Sequence, residues 1–170
     1  MRGFTLIELL VYIAILVIVL TMAMQFTLAL IEANAKSNAK EEVQVNAQAV
    51  LQAFDFGTRH AQAVYDPTSD FLGNPGQLSL LTTRYMLADE AQSYVDMYVD
   101  NGRFCVKNEL AGVSCVTSSK VEITSLTFTE ITQPQGAESV QMRFSLRFDS
   151  PRTEYYFTQT VQTSARLRAY

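Results

Sequence analysis

A carboxylate, Glu8, interrupts the apolar opening of this chain, MRGFTLIELLVYIAILVIVL. At the centre of a bilayer-spanning helix a carboxylate costs roughly 2.5–3.5 kcal/mol on insertion scales, and less near the end of a span. A segment meant only to sit in lipid has no use for such a group. An ionisable side chain in that setting is therefore a candidate functional residue.

The other residues able to do chemistry are few. The two cysteines, Cys105 and Cys115, match no zinc spacing. In an exported domain they could join in a disulfide closing a short loop, worth up to about 3 kcal/mol in the chain-entropy model; two buried free thiols are the alternative. His60, the only histidine, sits beside Arg59 and reads as a surface residue. Asp66, Asp70, Asp89, Glu90, Asp96 and Asp100 follow no calcium-loop pattern and read as solvated loop carboxylates. The chain contains no Ser-His-Asp grouping, no Gly-rich phosphate loop and no HExxH. These residues argue for a protein that is not an enzyme, with no cofactor and no small-molecule substrate. The formal net charge of -4 gives no support to a nucleic-acid partner. Tyr155, Tyr156 and Phe157 read as core and edge packing rather than as a stacking platform for DNA.

The elements that must position Glu8 follow from patterning. At 170 residues the chain holds one domain and an appendage. From Leu9 to Ile31 no side chain is charged, a run of about 23 residues, long enough at about 1.5 Å per residue to cross a bilayer. Beyond Glu32 the charges are spread as in a water-soluble domain. Arg2 and the N-terminus lie before the run, and the mixed charges Glu32, Lys36, Lys40, Glu41 and Glu42 lie after it, a balance that favours a cytoplasmic N-terminus.

No Gly or Pro interrupts the chain between Phe4 and Phe56, so one helix from about Phe4 to Val64 is expected. Its first half is apolar all round. In its second half Ala39, Val43, Ala47, Val50, Phe54, Ala61 and Val64 recur at helical spacings, with Lys36, Lys40, Glu41, Gln44, Gln48 and Gln52 opposite. Pro67 disfavours helix at Asp66 and ends the element. DPTSDFLGNPGQ is a loop by composition. Strands are expected at 77–83, at 94–99 and 103–106 as a hairpin about the turn DNG, and at 120–132, 139–148 and 154–167. In VEITSLTFTEI the alternation slips near Thr124-Ser125, as at a β-bulge. In VQMRFSLRF, Val140, Met142, Phe144, Leu146 and Phe148 face one way, and Gln141, Arg143, Ser145 and Arg147 the other. The expectation is an α+β protein, one long N-terminal helix packed on an antiparallel sheet of five or six strands, because each apolar face needs the other as cover.

Gly3-Phe4-Thr5-Leu6-Ile7-Glu8, running straight into an apolar helix, resembles the N-terminal signature of type IV pilins and of the pseudopilins of type II secretion. The resemblance covers about thirty residues. It implies cleavage after Gly3 by a prepilin peptidase on the cytoplasmic side, and N-methylation of the new N-terminal residue, Phe4. Gly3, with no side chain, lets the peptide enter a narrow site in extended form. In that family the glutamate matching Glu8 is thought to neutralise the N-terminal amine of a neighbouring subunit as helices bundle in a filament. Removing one member of such a pair leaves a buried charge unpaired, at roughly 3–5 kcal/mol. The domains implied are a leader at 1–3, a transmembrane and filament-core helix at 4–31, and a soluble pilin-like domain at 32–170. The last comprises an amphipathic helix at 32–64, a loop at 65–76 and an antiparallel sheet at 77–170.

The later strands and the closing TSARLRAY resemble minor pilins and the larger minor pseudopilins of the J type and its pilus counterpart, the W type. Two departures from major pilins favour a minor, initiating or capping subunit: the first helix lacks the proline or glycine that lets it bend, and the cysteine pair lies mid-domain. Glu8 argues against the tip type that lacks this glutamate. The implied partners are prepilin peptidase, other pilin or pseudopilin subunits and the inner membrane. The implied location is a single inner-membrane pass with an exported C-terminal domain, then a periplasmic pseudopilus or an extracellular pilus. Four alternatives remain beside this reading. One is a plain signal anchor with a chance glutamate. Another is a secretory signal cut near Ala33-Asn34-Ala35. A third is a membrane-anchored adhesion or DNA-binding module of an uptake pilus. The fourth is calcium held in a loop, as in some related pseudopilins.

Overall fold

The structure is a computed structural model describing residues 5–86, 88, 90–131, 138–150 and 156–168. The chain divides into two compact units, residues 1–38 and 39–170. The α+β architecture expected from the sequence is the one observed.

Helix α1 runs Leu6–Arg59 without a break. Lacking Gly and Pro before Gly57, every turn can close its backbone hydrogen bonds. In the second unit its buried side carries Ala39, Val43, Asn46, Ala47, Val50, Phe54 and Thr58. Lys40, Glu41, Gln44, Gln48 and Gln52 are exposed. The apolar stripe thus faces the sheets, where Phe54 stacks on Phe128 with ring centroids 6.4 Å apart. The second unit opens at Ala39, the first stripe residue to be buried.

The helix ends at Arg59, short of the Val64 expected from the absence of proline. The N–H groups of His60 and Ala61 turn to carbonyls three residues back, on Gly57 and Thr58, both at 3.2 Å. The N–H of Gln62 then donates to Leu81, at 2.8 Å. Strand β1, Ala63–Val64, follows in register with Leu81 and Leu80 of β2, Leu78–Thr82. Helix propensity permitted another turn; pairing with the edge of β2 took the segment instead. The expected loop at 65–76 holds a short 3-10 turn, Asp66–Thr68, and ends in a bridge between Asp70 and Gln77.

Among the described residues the strands form two sheets, not the single sheet expected. The first adds β3, Ser93–Asp100, β4, Arg103–Asn108, and β5, Gly112–Cys115, in the antiparallel order β1-β2-β3-β4-β5. The β3–β4 hairpin turns at Asn101 and Gly102, with φ of 48° and 74°, the left-handed conformations that a two-residue turn of this kind requires. The second sheet is β6, Val121–Ile131, β7, Ser139–Phe148, and β8, Thr158–Arg166. Thr132 and Glu154, expected strand ends, lie outside the described residues.

The sheets separate because the free edge of β6 meets a loop and a turn instead of a strand. Ile123 N–H donates to Gly102 at 2.7 Å, Gly76 N–H to Leu126 at 2.8 Å, and Leu126 N–H to Asn74 Oδ1 at 3.0 Å. These bonds satisfy the edge without extending the ladder. The expected bulge is present as a register shift between Ile123 and Ser125. On β7 Val140, Met142, Phe144 and Leu146 are buried, as the alternation required. Opposite that core, Glu122 and Arg147 pair across β6 and β7. The hydrogen bond from Arg147 to Glu122, and then the charge of Glu122, hold the guanidinium pKa above its ordinary value.

Candidate functional site: the N-terminal helix

The first turn of α1 opens at Thr5, whose carbonyl accepts the N–H groups of Glu8 at 3.1 Å and Leu9 at 3.2 Å. Glu8 therefore sits in the first turn, where the partial positive charge of a helix N-terminus favours a carboxylate. From Thr5 to Ile31 it is the one charged side chain. Gly3 and Phe4, the expected cleavage and methylation positions, lie outside the described residues, as does the expected leader at 1–3.

Around and beyond Glu8 the helix is apolar on every side and unburied. Leu6, Leu10, Ile13, Val17, Leu20 and Phe26 are all more than half exposed. The segment is long and apolar enough, by length and composition, to cross a membrane. Its two threonine hydroxyls are satisfied within the helix: Thr21 Oγ1 donates to Ile18 at 2.8 Å, and Thr27 Oγ1 to Ala23 at 2.9 Å. The backbone needs no outside partner in such a helix, so lipid or a bundle of like helices can surround it without stranding a polar group. A continuous exposed apolar surface of this extent is an interaction surface.

The remaining candidates fall elsewhere. Cys105 and Cys115 lie opposite one another on β4 and β5 and are joined by a disulfide. His60 is exposed; its Nδ1 donates to the Phe56 carbonyl at 2.7 Å and its ring lies against Phe56. Asp70 accepts the N–H groups of Leu72 and Gly73, and Asp96 accepts the Ser79 hydroxyl. Asp89 and Tyr155 lie outside the described residues. Tyr156 lies beneath the Arg147 guanidinium at 5.4 Å, while Phe157 packs on the core.

One residue was missed by sequence reasoning. Asn46 is buried on the apolar side of α1 and bonds to the segment that links the two sheets. Its position three residues after Val43 and four before Val50 was the available signal, a polar side chain standing on an apolar stripe.

A family model described as the prokaryotic N-terminal methylation motif matches residues 1–24. No curated protein and no solved structure matches the chain. The motif implies processing by a prepilin peptidase and assembly with other pilin subunits, and it points to a structural subunit rather than an enzyme. With the apolar helix it supports membrane anchoring and an exported domain. The likeness to type IV pilins and pseudopilins thus lies in this N-terminal motif, at residues 1–24.

Proposed function

We propose that this chain is a minor pilin or pseudopilin that initiates or caps a type IV pilus or a type II secretion pseudopilus. It waits in the inner membrane as a single pass with its N-terminus in the cytoplasm. Prepilin peptidase cuts after Gly3, and Phe4 becomes the methylated N-terminus. The span at 4–31 then leaves lipid for the filament core, and residues 32–170 form its exported part. There Glu8 neutralises the Phe4 amine of a neighbouring subunit. A lone ammonium in an apolar bundle is as unfavourable as a lone carboxylate, and pairing them removes both penalties and sets the register of the helices.

The observation that carries this reading is the methylation motif at the head of an exposed apolar helical segment, 5–31, whose one charged side chain is Glu8. The minor role draws support from the continuity of α1 through Arg59, with no proline or glycine before Gly57 to bend it. Intact-mass measurement of the chain from cells with and without prepilin peptidase tests the reading. The expected result is a peptidase-dependent loss of the residues before Phe4 together with one added methyl group. An uncut N-terminus in cells that hold the peptidase would return the segment to a plain membrane anchor.

A second reading, a DNA-binding module of an uptake pilus, has one observation in its favour. In a chain of net charge -4, Arg166 and Arg168 line one cleft of about 490 Å³ at the end of α1 and β8, beside Arg59, which is paired with Asp55 at 2.7 Å. DNA binding by the detergent-solubilised chain with a steep salt dependence would favour it.

A further inference from the structure

Among the described residues the edge strands of the two sheets are β1, β5, β6 and β8. An open edge is a template for another strand, and folded proteins shorten, bulge, charge or cover theirs. The first three edges are closed off in this way. β1 has two residues, and its Val64 N–H donates to Glu138 Oε2 at 3.1 Å. β5 has four residues. β6 is bonded along its edge to Gly102, Asn74 and Gly76.

β8 differs. It has nine residues, pairs with β7 in unbroken register, contains no proline, and carries its one charge, Arg166, at its end. The ladder shows which backbone groups point away from β7. Phe148 N–H donates to the Phe157 carbonyl at 3.0 Å, and Leu167 N–H to the Glu138 carbonyl at 2.9 Å. In an antiparallel pair such residues alternate, so the odd-numbered residues of β8 turn their N–H and C=O toward β7. Thr158, Thr160, Gln162, Ser164 and Arg166 turn theirs outward, all are exposed, and no described strand pairs with that side.

The solvent face beside this edge is cationic. Thr160 and Ser145 of β7 share a hydrogen bond on that face, at 2.8 Å. By register Arg143, opposite Gln162, and Arg166, opposite Ser139, stand on the same face. Both are exposed, and among the described residues neither is paired with a carboxylate. Arg147 and Arg59 add nothing to this charge, since Glu122 and Asp55 already pair with them. With strands about 4.8 Å apart, a strand added to β8 would lie within about 10 Å of both free positions, about one Debye length at 0.1 M salt. The cleft of about 490 Å³ along Ser164–Arg168 leaves room beside the end of the edge. The chain's own open edges do not answer the charge, because β1, β5 and β8 carry no carboxylate.

We propose that the outer edge of β8 takes up an extended, acidic segment of a different protein as an added strand. Backbone hydrogen bonds to the even-numbered residues supply the pairing, and Arg143 and Arg166 select for acidic side chains. The inference goes beyond the filament reading, since the edge is open whether or not the N-terminus is processed.

The test uses the full chain in detergent and a fluorescent peptide of the same length as β8, alternating Thr and Glu. Saturable binding is expected by anisotropy, with slower amide exchange at Thr158, Thr160, Gln162, Ser164 and Arg166 and no change at the odd-numbered amides. Binding should be lost with a peptide N-methylated at alternate backbone positions, and fall at least several-fold with Lys in place of Glu or with Arg166→Glu in the chain. Gln162→Pro should also abolish it, because that N–H lies outside the β7 ladder and an edge tolerates the ring. If that variant fails to fold, the N-methylated peptide still decides. No binding at about 1 mM peptide, binding that survives N-methylation, or protection elsewhere in the chain would overturn the proposal. So would a DNA duplex that displaces the peptide, which would give this surface to the nucleic-acid reading.

Discussion

Asn46 on α1 and Ser118, between β5 and β6, are joined by two hydrogen bonds. Asn46 Oδ1 accepts the Ser118 N–H at 2.7 Å, and Asn46 Nδ2 donates to Ser118 Oγ at 3.4 Å. Glu42, one turn earlier, accepts from the same hydroxyl at 3.0 Å, and its other oxygen lies 3.5 Å from Lys120 Nζ. The helix is thus tied by polar contacts to the crossing between the two sheets, while the Val43, Val50 and Phe54 stripe binds it by apolar burial.

Replacing Asn46 with Ala strands the Ser118 N–H in a half-buried place. Loss of a partner for a buried polar group costs about 1–3 kcal/mol. Chemical denaturation of the full chain in detergent should show a loss of that size. Ser118→Ala should be milder, because it keeps the N–H that Asn46 Oδ1 accepts. Equal losses in both variants would mean that the hydrogen bond is not what Asn46 contributes.

Glu8→Gln separates anchoring from assembly. The span loses its one charge, so membrane insertion should be undiminished, and cleavage after Gly3 should continue. Incorporation into filaments should fall steeply, since roughly 3–5 kcal/mol for an unpaired buried ammonium corresponds to more than a hundredfold. Quantifying the chain in sheared filament fractions against the membrane fraction measures this. Normal incorporation would show that Glu8 pairs with nothing in the assembled state.

The Cys105–Cys115 bridge closes a loop with a sequence separation of 10. In the chain-entropy model a loop of this size is worth up to about 3 kcal/mol. The double variant Cys105→Ser, Cys115→Ser should unfold at correspondingly lower denaturant. Because β5 touches the sheet only along β4, its amides should also exchange faster with solvent.

The pH dependence of the Glu122–Arg147 pair follows from sign. The folded-state pKa of Arg147 is raised, by the hydrogen bond and charge of Glu122, above a value that is already strongly alkaline. A raised pKa contributes stability that is complete below the unfolded-state value and is lost only as pH climbs through the folded-state value. Arg147→Met should therefore lower the melting temperature by the same amount at pH 6 and at pH 9. A difference between the two would point to another titrating group near β7.

Much of the architecture follows from the linear order of residues alone. Twenty-odd uncharged residues after Glu8, with no Gly or Pro before Gly57, leave few options besides one long helix with an apolar first half. The strict alternation from Val140 to Phe148 sets which face is buried, because neighbouring side chains in a strand point to opposite sides. The slip at Thr124-Ser125 marks the bulge for the same reason. The methylation motif is likewise local, carried by one short contiguous segment.

What the order of residues left open depends on contacts between distant segments. Arg59 ends α1 because Gln62 finds the Leu81 carbonyl, which no helix propensity encodes. β5 is mostly exposed, and its pairing with β4 supplies the bonds its own pattern does not announce. The split into two sheets arises where Asn74, Gly76 and Gly102 take the edge of β6. Asn46 reads as a flaw in an apolar stripe until Ser118 stands opposite it. Exposure and enclosure are properties of packing, and only the tertiary structure decides them.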